Sequence, residues 1–77
     1  MKDFVTYIVK QIVDNPEAVE IFETVDQPGF VDLQISVDPA DMGKVIGKEG
    51  KIIRSLRDLV RVMATKEHVR FNLSIKE

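Results

Sequence analysis

The sequence contains no cysteine, which excludes a disulfide framework, a thiolate zinc site and a cysteine nucleophile together. Its one histidine, His68, has no second histidine to work with, so no histidine-based metal cluster or acid–base pair is available. Apolar runs stay far below the roughly 18–20 residues that would cross a membrane. The start, Met1-Lys2-Asp3-Phe4, places an acid where a secretory leader keeps its basic region, and no small-residue cleavage site follows. A cytoplasmic protein is the expectation. The carboxylates are scattered over several segments without visible pairing, so neither catalysis nor a cofactor or metal ion is expected.

What is present is a chain of 77 residues, 44% apolar and 31% charged. Those fractions belong to a folded globular chain rather than a disordered one, and the length suits a single domain over residues 1–77. The formal net charge of −2 conceals a division. Residues 1–43 carry two basic side chains against nine acidic ones, a balance of −7, whereas residues 44–77 carry nine basic against four acidic, a balance of +5. Attraction is governed by local charge within a Debye length of about 10 Å. The division therefore points to a basic surface on an acidic body, unless folding lays one half against the other.

Phe4, Val5, Ile8, Val9, Ile12 and Val13 recur at helical spacing, and Asp14-Asn15-Pro16 ends that helix, because a residue before proline is pushed out of the α region. Val19 to Val25 reads as a strand. Gln27-Pro28-Gly29 reads as a type II turn leading to a second strand, in which Val31, Leu33, Ile35 and Val37 alternate with polar residues. Asp38-Pro39 signals an N-cap and first turn for a short helix that Gly47 ends. A longer helix runs from after Gly50 to about Thr65, and Val69 to Ile75 alternates as a last strand. The order α-β-β-α-α-β places two helices between the second and third strands. Those strands are therefore expected parallel, in an α+β fold whose three-stranded mixed sheet carries its three helices on one face.

At about 100° per residue, Ile52, Ile53, Leu56, Leu59, Val60, Met63 and Ala64 of the long helix fall together and are expected to face the sheet. Lys51, Arg54, Arg57 and Arg61 fall on the other side. Lys44 and Lys48 lie just upstream, near a helix N-terminus whose free N–H groups and partial positive charge attract anions. Taken alone, the arginines describe an ordinary solvated helix face, and two glycines three apart describe an ordinary turn. Together with the lysines, they converge on one spot that a phosphate backbone would fit. A nucleotide-binding phosphate loop is excluded by spacing. Three residues instead of four separate Gly43 from Gly47, and Glu49 stands where such a loop needs Ser or Thr after its lysine.

The segment Val45-Ile46-Gly47-Lys48-Glu49-Gly50-Lys51-Ile52-Ile53 resembles the Val-Ile-Gly-x-x-Gly-x-x-Ile signature of the KH domain. The order of elements resembles the type II arrangement of bacterial KH domains. The likeness runs along the whole chain and is strongest to the small stand-alone bacterial KH proteins of the KhpA family, which similarly end their first helix in Asp-Asn-Pro or a close variant. The resemblance implies single-stranded RNA as partner, with the Gly-x-x-Gly loop clamping the backbone of about four nucleotides. On that pattern Gly47 and Gly50 approach the backbone and Lys48 and Lys51 meet phosphates. Val45, Ile46 and Ile53 form the floor near the bases, Arg54 one rim, and the loop Asp26 to Phe30 the other. Glu49 departs from the most favourable pattern by setting a carboxylate in the clamp, so weak binding by one copy is implied. With no tryptophan and few aromatics, readout by stacking is not expected.

The resemblance further implies a homodimer or pairing with a KhpB-like KH protein, RNA chaperone activity and a link to cell-wall and cell-shape control. Leu59 and Val62 of the long helix are the candidate dimer contacts, against the plain alternative of isolated exposed apolar residues. A protein-interaction module with little RNA binding of its own is the competing reading.

Overall fold

The computed structural model describes residues 1–76 in the order α-β-β-α-α-β. Helix α1 (Lys2–Ile12) buries Val5 and Val9 and gives way to extended backbone at Val13, one residue before the Asp-Asn-Pro stop. Strands β1 (Glu20–Gln27) and β2 (Phe30–Ser36) pair antiparallel across Pro28-Gly29, and Gly29 takes the φ of +78° that a type II turn asks of its third residue. Beyond β2, the Asp38 side chain accepts the Ala40 N–H at 2.9 Å and Pro39 begins a 3-10 turn, as the capping signal predicts. That turn, Pro39–Asp41, leads into the short α2 (Met42–Ile46). A second 3-10 turn, Lys48–Gly50, precedes α3 (Lys51–Lys66), and β3 (Arg70–Ile75) follows.

The sheet order is β1-β2-β3, with β3 parallel to β2 and Leu33 opposite Leu73. Parallel neighbours need a crossover, and α2 and α3 supply it. Val31, Leu33, Ile35 and Val37 point into the core, while Asp32, Gln34 and Ser36 face the other way. On that open face the Asn72 amide donates to Asp32 at 3.0 Å, and the Lys76 ammonium lies 4.9 Å from the Phe22 ring centre. One face covered by helices and one left polar is the expected mixed-sheet arrangement. The core is aliphatic, built around Val5, Val9, Leu33, Ile35, Val60 and Leu73. Among the described residues no aromatic ring is fully buried in it, and Phe4, Phe30 and Phe71 are half-buried at its margins.

The face of α3 differs from expectation at two positions. Leu56, Val60 and Ala64 are buried, but Ile52 and Leu59 remain 39% and 48% exposed. The seven apolar residues span a wider arc than a three-stranded sheet can cover. The i, i+4, i+8 line sits centrally on the core and the residues to one side of it overhang.

At its C-terminus α3 closes with the His68 N–H bonded to the Thr65 carbonyl and the Val69 N–H to the Ala64 carbonyl, at 3.2 and 2.9 Å. Those two bonds make a Schellman cap. His68 takes the left-handed position, with φ +60°, where glycine is commonest. Its place in the chain is therefore explained by backbone geometry.

Candidate functional site

The loop between α2 and α3 is built from three departures from helical backbone, at Gly47, Glu49 and Gly50. Gly47 ends α2 with φ +77° and ψ 171°, its N–H bonded to the Gly43 carbonyl at 2.8 Å. Few residues other than glycine occupy that region. Here a side chain would also collide, because a Cβ on Gly47 would lie 2.3 Å from Ile52 Cγ1 and 2.8 Å from the Ile52 nitrogen. Gly47 thus lies flush against the first turn of α3. Glu49 and Gly50 follow in left-handed conformation, with φ +58° and +74°. The Gly50 N–H returns to the Gly47 carbonyl at 3.1 Å and closes the turn.

The loop delivers two free ammonium groups to the start of α3. Lys48 and Lys51 are both exposed, and among the described residues neither forms an ion pair. No side chain caps the N-terminus of α3. The positive end of the helix dipole therefore stands beside the two lysines, while the Gly50 and Lys51 N–H groups are turned inward to the Gly47 and Lys48 carbonyls. Among the described residues one ion pair, Lys44 with Asp14, joins the acidic half of the chain to the basic half, and the other, Arg61 with Asp58, lies within α3. The charge division seen in the sequence is not cancelled by pairing.

Several residues expected at the site are placed differently. Lys44 is directed away from the loop and pairs with Asp14, because its side chain leans back along α2 toward the exit of α1. That hydrogen bond raises its pKa above the ordinary lysine value. Val45 is fully buried, so it supports the floor from beneath and offers no surface of its own. Ile46 is 37% exposed and Ile53 half-buried, and these two present the apolar surface beside the loop.

The arginines are also engaged. Arg54 donates to the Glu49 carbonyl at 2.7 Å, Arg57 reaches the Leu73 carbonyl of β3 at 3.1 Å, and Arg61 pairs with Asp58 at 2.8 Å. They still leave positive charge along the flank of α3 nearest β3. The turn at Pro28-Gly29, expected on the opposite rim, meets the start of β3 through a 2.7 Å bond from the Arg70 N–H to the Gly29 carbonyl. It therefore stands at the far end of α3, whose 16 residues extend roughly 24 Å.

Asp41 is a residue that sequence reading passed over. It is 3% exposed, the one buried charged side chain among the described residues. Its carboxylate accepts the N–H groups of Asp14 and Asn15 at 3.2 and 3.0 Å. The Asn15 amide meanwhile donates to Asp38 at 3.2 Å, and that bond together with the Ala40 N–H lowers the Asp38 pKa below its ordinary value, the Ala40 bond contributing most. This network ties the exit of α1 to the turn before α2 and so fixes the platform from which the loop projects.

A chain of order α-β-β-α-α-β, with a Gly-x-x-Gly turn joining the two crossover helices and a mixed sheet behind them, is a type II KH domain. The chain belongs to the KhpA/KhpB family of KH domains, whose family model matches residues 2–75. It is similar to the RNA-binding protein KhpA of Chlamydia pneumoniae, 43% identical over 77 residues, which cover all of this chain and 97% of that protein. The protein of the same name from Clostridium perfringens is 43% identical over 68 residues, 88% of this chain and 89% of the relative. That from Caldanaerobacter subterraneus is 43% identical over 75 residues, 97% and 99% of the two. These relatives are named for RNA binding and not for catalysis. No solved structure matches the chain. Among the described residues, no helix is long and apolar enough to cross a membrane.

Proposed function

We propose that the chain binds single-stranded RNA through the Gly47–Gly50 loop. The observation that carries this reading is the convergence of two lysines, Lys48 and Lys51, unpaired among the described residues, with a helix N-terminus that no side chain caps, around a turn too tight for a side chain at Gly47. A phosphate backbone passing there would meet two ammonium groups and the positive end of the helix dipole at once. Ile46 and Ile53 would lie beneath the bases, and the loop would clamp about four nucleotides. The names of the relatives support RNA as the ligand. Replacing Lys48-Glu49 by Asp-Asp inverts the charge of the loop while sparing both glycines and the core. Binding of a short single-stranded RNA is expected to be lost with the circular dichroism spectrum unchanged. Equal binding before and after removes the loop from the mechanism.

A second reading, association through α3, rests on a separate observation. Leu59 and Val62 are 48% and 69% exposed and share a stripe with Ile52. Helical geometry places this stripe and the arginine flank on opposite sides of the core-facing line. A second copy, or a KhpB-like KH domain presenting an equivalent helix, would cover the stripe and leave the loop open. Two loops joined in this way would gain effective concentration for one RNA strand and offset the carboxylate of Glu49. On this account the chain acts in the cytoplasm as a small RNA chaperone or post-transcriptional regulator. The cell-wall and cell-shape role follows from the family resemblance alone, and crosslinking to cellular RNA with identification of co-purified proteins tests it.

A further inference from the structure

Arg54 occupies the first turn of α3, and its guanidinium reaches back past Gly50 to the Glu49 carbonyl at 2.7 Å. Glu49 is the loop residue for which left-handed backbone is costly, because its Cβ crowds the following carbonyl, and it nevertheless holds φ +58° and ψ 25°. Gly50, next in line, carries no such cost. Its missing Cβ would lie 3.8 Å from the Arg54 guanidinium, which therefore packs directly over the loop backbone. A charge-assisted hydrogen bond to the carbonyl of the one strained residue is well placed to hold the loop in shape.

We propose that Arg54 is a positioning residue of the clamp. It serves RNA binding by locking Glu49 in left-handed conformation, which keeps the turn closed with the two lysines exposed on it, and it does not act as a phosphate ligand. The proposal rests on the RNA-binding reading above. It separates Arg54 from Lys48 and Lys51, whose ammonium groups are free of any ion pair among the described residues.

The test is a double-mutant cycle of Arg54→Ala and Glu49→Gly, with a fluorescent single-stranded RNA of about twelve nucleotides, long enough for a four-nucleotide clamp. Glycine adopts positive φ without help, so it removes the need for the lock. In the native background, Arg54→Ala is expected to weaken binding about tenfold, the equivalent of one hydrogen bond to a charged group. The slope of log affinity against log salt should stay unchanged. In the Glu49→Gly background the same substitution should matter by less than about twofold. A phosphate ligand behaves otherwise: the loss is the same in both backgrounds and the slope falls by about 0.7. That outcome overturns the proposal.

An RNA-free arm follows amide exchange at Gly50 and Lys51, whose N–H groups close the turn on Gly47 and Lys48. Exchange should quicken in Arg54→Ala and recover in the double variant. Unchanged exchange in Arg54→Ala also overturns the proposal. If the native chain fails to bind RNA, the function proposed above falls, and with it any role of Arg54 in binding, while the exchange data still decide whether Arg54 holds the loop.

Discussion

Gly47 and Gly50 both take positive φ, at +77° and +74°, yet a methyl group would meet different surroundings at each. At Gly47 it would strike the side chain and backbone of Ile52, and at Gly50 nothing is closer than 3.8 Å. Gly47→Ala therefore adds a collision to a backbone region that is nearly glycine-only and is expected to cost on the order of 3 kcal/mol. Gly50→Ala incurs only left-handed strain, about 1 kcal/mol. In thermal unfolding these become losses of more than about 10 °C and about 5 °C. Comparable shifts for the two variants would contradict the placement of Ile52 against Gly47. The sequence reveals that both glycines matter, because their spacing marks a turn. It does not reveal which is the tighter, because that depends on how α3 packs back onto the end of α2.

Among the elements, α3 carries the most separate duties. One line of it, Leu56, Val60 and Ala64, is buried. The arginines lie to the side nearest β3, and Ile52, Leu59 and Val62 overhang on the other. If the overhanging stripe is covered by a second chain, Val62→Asp buries a charge at that contact and is expected to shift sedimentation to the monomer with the unfolding temperature of the monomer unchanged. Unaltered sedimentation of a native chain that is already dimeric would move the interface elsewhere. Periodicity made the helix, its length and its central apolar line legible. The overhang was not legible, since the pattern fixes directions around the helix and not the width of the sheet beneath it. Arg57 illustrates the same limit: its position on the helix is plain from spacing, but its bond to Leu73 depends on where β3 runs.

At the scale of the whole molecule, contacts between residues far apart in sequence hold the loop's platform in place. Asp41 binds the backbone of Asp14 and Asn15 across 27 and 26 residues, and Lys44 pairs with Asp14 across 30. Nothing in the local pattern distinguishes Asp41 from the other eight acids of residues 1–43. The fold order, the capping turn and the glycine loop could be read directly, whereas this network could not. Removing the carboxylate leaves two part-buried N–H groups without their acceptor, so Asp41→Ala should cost about 1–3 kcal/mol in urea unfolding.

The pH dependence follows from two surface groups of the same network. The pKa of Asp38 is lowered from its ordinary 3.8, so its contribution is complete above that value and is lost as pH falls through the lower folded one. The pKa of Lys44 is raised from 10.5, so its contribution is complete below that value and is lost as pH rises through the higher folded one. Between those limits neither group should tilt the stability curve, and Asn15→Ala should soften the acid limb alone.

Charge division at this scale also sets the most direct test of the central claim, that the Gly47–Gly50 loop holds an RNA backbone by phosphate contact. The measurement is the affinity of the native chain for a short single-stranded RNA across a salt series. Two lysines engaging two phosphates predict that log affinity falls against log salt with a slope near −1.4, about −0.7 for each contact. The chain with Lys48-Glu49 replaced by Asp-Asp should bind too weakly for a slope to be drawn. A native affinity indifferent to salt, or a steep slope that survives the replacement, would place the RNA elsewhere on the molecule and contradict the account.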